Sequence, residues 1–94
     1  MTNEARITDL TGQQSAPRRA SRLAGRQFGV IARRQLRGLG FSEARIRSWL
    51  RMERLHPRYP GVYAWGRAEL DTEGQLAAAL LYAGPEAFQN LAHR

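Results

Sequence analysis

The sequence predicts a mainly α fold with a small β-hairpin, arranged as a winged helix-turn-helix. Three observations predict it. Two short amphipathic segments, about Arg33 to Leu39 and Glu43 to Glu53, are joined by a turn containing Gly40, which is the pattern of a helix-turn-helix. Two short runs, Leu55-His56-Pro57 and Val62-Tyr63-Ala64-Trp65, then flank Arg58-Tyr59-Pro60-Gly61, where Pro and Gly together are turn chemistry. Positive charge is concentrated over these same segments, as in an element that meets phosphate.

Taken in order, residues 1–17 are polar, lack periodicity and end in Gln13-Gln14-Ser15-Ala16-Pro17. They are expected as a disordered N-terminal arm before a domain of residues 18–94. The first helix is expected from about Arg18 to Phe28, with Ala20, Leu23, Ala24 and Phe28 on one face. Gly29 can take its left-handed cap, and Val30-Ile31 form an extended apolar link. In the second helix, Leu36 and Leu39 face inward, and Gly40 breaks it. Ser42 is a good N-cap for the third helix, but Arg45 stands where a capping box needs Glu or Gln. The fourth helix is expected to open with a capping box, Thr72 at N-cap and Gln75 at N3. Leu76, Ala79, Leu80 and Ala83 form its buried stripe, and Gly84-Pro85 end it. Glu69, Asp71 and Glu73 suit the positive end of its dipole. The last residues, Pro85 to Arg94, hold Phe88 and Leu91 but stop short of another element.

Composition excludes several function classes. At 94 residues the chain is one small domain, too short for a Rossmann fold or a TIM barrel. It has no Cys and two distant His, so neither a disulfide framework nor a zinc finger is expected. No run approaches the ~18 apolar residues of a membrane span, and Met1 to Leu10 lacks the apolar stretch of a secretory signal. A cytoplasmic protein with no membrane partner is expected. There is no Ser-His-acid pattern, metal-ligand spacing or glycine loop before a helix, so no enzyme activity and no cofactor are expected.

All 15 basic residues are Arg, and the net charge is +7. A GC-rich genome accounts for Arg over Lys but not for where the arginines sit. Residues 18–58 hold 12 Arg against only Glu43 and Glu53, a net of +10. That footprint points to nucleic acid.

On a helical wheel, Ile46, Trp49, Leu50 and Glu53 share one side of the third helix. Ala44, Arg47, Ser48 and Arg51 share the other, with Arg45 and Met52 flanking. Small residues permit close approach to a major groove, and long guanidinium donors suit guanine edges. Arg45, Arg47, Ser48 and Arg51 are therefore the candidate groove-facing residues. Arg33 and Arg34, with Arg18, Arg19 and Arg22, are candidate phosphate contacts. Arg58 and Tyr59 are candidates to touch the backbone or minor groove from the wing. Trp49, three residues after Ile46, belongs to the core or its edge. His56, a lone histidine beside Pro57, reads as structural or as a phosphate donor rather than catalytic.

The run from Leu23 to Leu36, Leu-Ala-Gly-Arg-Gln-Phe-Gly-Val-Ile-Ala-Arg-Arg-Gln-Leu, resembles a known opening. So do Leu39-Gly40-Phe41-Ser42, Ile46-Arg47 and the run Arg54-Leu55-His56-Pro57-Arg58-Tyr59-Pro60-Gly61-Val62-Tyr63-Ala64. Over about residues 20–91 the chain resembles the N-terminal winged-helix domain of AbiEi-family antitoxins, transcriptional repressors of type IV toxin–antitoxin systems. The same domain precedes endonuclease-like domains of the very-short-patch-repair fold. The resemblance implies DNA binding and autoregulation. Departures are Ala32 where the family carries a Ser or Thr cap, Glu53 where it carries Gly, and Asn90 in place of a helix-opening Ser. The family's C-terminal effector domain has no counterpart in these residues.

The expected function is sequence-specific binding of double-stranded DNA as a repressor. Alternatives are the DNA-targeting module of a nuclease and a protein-docking winged helix. The expected partners are double-stranded DNA, a second copy of the chain and, only where a C-terminal domain is attached, a nucleotidyltransferase-type toxin.

Overall fold

The computed structural model describes residues 15–84. The elements run α1 (Ala16–Arg26), β1 (Val30–Ala32), α2 (Arg33–Gly38), α3 (Glu43–Arg51), β2 (Leu55–Tyr59), β3 (Val62–Trp65) and α4 (Thr72–Ala83). The strands form one antiparallel sheet in the order β1-β3-β2. Among the described residues the result is four helices around a three-stranded sheet, a mixed α/β arrangement. The expected hairpin is present, and Val30-Ile31, expected as a link, belongs to a third strand. Its register is Val30 with Ala64, Ile31 with Tyr63 and Ala32 with Val62.

The sheet separates two cores because strand side chains alternate between faces. On one side, Ile31, Leu55 and Tyr63 pack with Ala20, Ala24, Leu36, Phe41 and Ile46 of α1 to α3 and their links. On the other, Val30, Ala32 and Val62 pack with Ala77, Ala78 and Leu81 of α4.

The first helix starts two residues earlier than expected. The Ser15 hydroxyl accepts from the Arg18 N–H at 3.4 Å, and Pro17 lies in the first turn, where its missing N–H costs nothing. Residues 15–17 thus belong to the fold, while the rest of the expected arm lies outside the described residues. At the other end, Phe28 is not on the buried face. It adopts φ 63 beside Gly29 at φ 90, and the Gly29 N–H donates to the Ala24 carbonyl at 2.8 Å. This Schellman-type ending leaves Phe28 exposed and buries Gln27. Gln27 is satisfied by Gln35: each amide donates to the other, at 3.0 and 2.8 Å. Gln27 Nε2 also donates to the Val30 carbonyl at 3.0 Å. Gln35 Oε1 accepts from the Ala32 N–H at 2.9 Å, so α2 keeps the reverse half of a capping box although Ala32 offers no acceptor.

Ser42 caps α3, accepting from the Arg45 N–H at 3.0 Å. The helix ends two residues earlier than expected, through another left-handed residue. Glu53 takes φ 61, and the Arg54 N–H closes on the Trp49 carbonyl at 2.9 Å. A left-handed conformation costs an L-residue roughly 1–2 kcal/mol and glycine little. Glu53 is exposed and makes no ion pair among the described residues. Glu53→Gly is therefore expected to stabilise the fold by about 1 kcal/mol, or roughly 4–8 °C in melting temperature. Thermal unfolding followed by circular dichroism checks this, and an unchanged or lower Tm contradicts it.

The fourth helix is rotated relative to expectation. Its N-cap is Asp71, not Thr72; the Asp71 carboxylate accepts from the Gly74 N–H at 2.8 Å. The buried stripe is Gly74, Ala77, Ala78 and Leu81, while Leu76 is 48% exposed. The expected stripe of Leu76, Ala79, Leu80 and Ala83 lies on the far side, with Leu80 half-buried against the core's edge. The reason is close approach. A Cβ at Gly74 would stand 2.8 Å from the Phe28 carbonyl oxygen, so the small face alone can lie against the end of α1. Phe88, Asn90 and Leu91 lie outside the described residues.

Candidate nucleic-acid interface

The outward face of α3 carries Arg47 and Arg51, both exposed, with exposed Ala44 and half-buried Ser48 between and beside them. Neither arginine forms an ion pair with any acid among the described residues. Arg45 is placed differently, with its guanidinium 5.3 Å from the centroid of the Phe41 ring.

The inward face fixes the helix. Ile46 is buried. The Trp49 ring meets Phe41 edge-on at 5.1 Å and Trp65 at 5.4 Å, so Trp49 belongs to the core's edge, as its spacing indicates. Arg54 covers its outer surface at 4.9 Å. Aromatic contacts of this kind add to the area they bury and hold α3 in one orientation. His56 Nε2 lies 3.4 Å from the Gly66 carbonyl, a contact at the strand end.

Arg33, Arg34 and Arg19, expected to meet phosphate, already have internal acceptors, and so does Arg37, for which no such contact is expected. Arg33 and Arg37 both pair with Glu43 Oε2, the second at 2.6 Å. The hydrogen bond from Arg33 is the largest cause holding the Glu43 carboxyl below its ordinary range, and the same bond raises Arg33. Burial pushes the nearby Tyr63 hydroxyl up. Arg34 Nη2 reaches the Leu81 carbonyl at 3.5 Å, a favourable place for a cation at the C-terminal end of α4. Arg19 donates to the Leu39 carbonyl at 3.1 Å, tying α1 to the α2–α3 turn. Arg19, Arg22 and Arg26 line a groove of about 350 Å³ with Leu23 and Leu39, and Arg18 is exposed one turn before Arg22. Arg26 continues the i, i+4 row of Arg18 and Arg22 and was readable from that spacing. Glu43, ten residues from Arg33 and six from Arg37, had no local signal.

The hairpin differs most from expectation. Pro57 pairs with Tyr63 and Tyr59 with Val62, so Arg58 is an extra residue in a bulge. A bulge shifts every later side chain to the opposite face. Tyr59 therefore points toward α4 and stacks on Tyr82, with centroids 5.1 Å apart and planes at 12°. It does not stand free at the hairpin tip. Strand β2 extends to Tyr59, leaving Pro60-Gly61 as the turn, with Gly61 at φ 77. Pro57 is tolerated because β2 is an edge strand. The Arg33 N–H donates to the Gly61 carbonyl at 2.8 Å, bringing the start of α2 beside the turn.

Among the described residues no helix is long and apolar enough to cross a membrane, and no group of three His, Cys, Asp or Glu could hold a metal ion. No protein-family model, curated protein or solved structure matches the chain.

Proposed function

We propose that this chain is a winged helix-turn-helix that binds double-stranded DNA sequence-specifically and acts as a transcriptional repressor of a toxin–antitoxin-type operon. The observation that carries the reading is the outward face of α3. It combines two exposed arginines without acidic partners among the described residues with small residues between them, in a segment of net charge +10. The order helix, strand, helix, helix, strand, strand, with strands arranged 1-3-2, supports it, because winged-helix domains share that order. The repressor assignment rests on the resemblance to AbiEi-family antitoxins. In this reading α3 enters the major groove, Arg47, Ser48 and Arg51 meet base edges, and Arg45 contacts the flank. Arg18, Arg19, Arg22 and Arg58 position the backbone. The compartment is the bacterial cytoplasm, and a second copy of the chain engages the second half-site.

Phosphate neutralisation releases counterions, so log K falls linearly with log salt, by about 0.9 per phosphate contacted. Roughly four to six contacts per protomer give a slope of about −3.6 to −5.4. Fluorescence anisotropy with a 30-bp duplex at several salt concentrations measures it. A flat dependence, or no binding at low salt, overturns the reading.

A further inference from the structure

Arg33 and Arg37 lie one turn apart on α2, and both guanidinium groups converge on a single oxygen of Glu43, the first residue of α3. All three side chains are open to solvent, at 49%, 48% and 38% exposure. Exposed ion pairs stabilise a fold weakly, so a structural staple is a poor account of two arginines spent on one acid. Glu43 is one of only two acids among residues 18–58. The other, Glu53, makes no ion pair among the described residues.

A carboxylate oxygen and a phosphate oxygen make the same demand on a guanidinium: an anionic acceptor for its N–H groups. We propose that Glu43 is a built-in competitor for the DNA backbone, occupying the Arg33–Arg37 fork and so withholding two cations from non-specific duplex. This rests on the DNA-binding reading and deepens it. The fork keeps a net charge of +1, but while Glu43 holds both guanidinium groups they make no phosphate contact and release no counterions. The base contacts of Arg47 and Arg51 are unaffected, so the carboxylate lowers backbone-driven affinity for any duplex and leaves base reading a larger share of the binding.

The experiment compares salt slopes on a scrambled 30-bp duplex for the wild type, Glu43→Gln, Glu43→Ala and Glu53→Gln, each checked as folded by its melting curve. Glu53→Gln removes the same formal charge away from the fork. Both Glu43 variants are expected to steepen the slope by about 1–2, one contact for each freed arginine, and to bind scrambled DNA at least tenfold more tightly at low salt. Glu53→Gln is expected to leave the slope unchanged. Adding Arg33→Gln and Arg37→Gln to Glu43→Gln returns the slope to the wild-type value. Equal effects of Glu43→Gln and Glu53→Gln reduce the matter to net charge and overturn the proposal. So does an unchanged slope in both Glu43 variants. If the wild type binds with a normal salt slope while the Glu43 variants do not differ from it, only this inference fails. If no variant binds any duplex, the DNA-binding reading fails with it.

Discussion

Leu81→Ala is expected to cost about 2–5 kcal/mol, while Leu76→Ala, on the same helix, changes stability by no more than about 0.5 kcal/mol. Leu81 is 1% exposed and packs among Val30, Ala32, Val62, Ala77 and Ala78. Its truncation opens a cavity on the face of the sheet that α4 and Leu70 cover among the described residues, and the surrounding strands are held by their ladder and cannot collapse into it. Leu76 is 48% exposed and loses little apolar contact. A domain of this size has roughly 5–15 kcal/mol of total stability, so Leu81→Ala removes a large fraction of it. Urea denaturation of both variants makes the comparison. The reverse ranking would mean that α4 presents its other apolar face to the sheet.

Arg47→Ala and Arg51→Ala are each expected to weaken binding to the cognate site by about 1–3 kcal/mol more than binding to a scrambled duplex. Both project from the face opposite Ile46, and neither touches an acid among the described residues, so the fold does not depend on them. An arginine bidentate to guanine carries sequence preference, whereas an arginine on phosphate carries affinity alone. Arg18→Ala therefore weakens both duplexes alike and lowers the salt slope. The cognate site is selected from a random library, and each variant is titrated against it and a scrambled duplex. Equal losses on both duplexes would falsify α3 as the reading element.

The parts of this molecule legible in its sequence are those set by near neighbours. Ser42 with Glu43 opens α3, Pro60-Gly61 turns the hairpin, and the Ile46-Trp49-Leu50 face meets the core. Strand β1 was not legible because three residues show no period and its partner β3 lies beyond α2, α3 and β2. The rotation of α4 was hidden because two apolar stripes at i, i+3, i+4, i+7 interleave on it. Hydrophobicity cannot choose between them; the clearance at Gly74 does. At the candidate site, the exposed arginines of α3 were readable from the wheel. The occupied state of Arg33, Arg34 and Arg19 was not, since each acceptor comes from a different element. The bulge at Arg58 likewise has no sequence mark, yet it decides which way Tyr59 points.

The third strand also sets the order in which the chain can fold. Hairpin β2–β3 closes over two turn residues, a local event on the microsecond scale. Strand β1 can join only after the intervening segment has been brought back, and that closure carries an entropic cost the hairpin does not bear. The docking of β1 on β3 brings the Trp65 N–H to the Gly29 carbonyl and the Arg33 N–H to the Gly61 carbonyl. One late step thus anchors the start of α2 and completes the sheet on which α4 lies. The helical and hairpin pieces are therefore expected to acquire their final relative orientation together, when the sheet closes, rather than one by one.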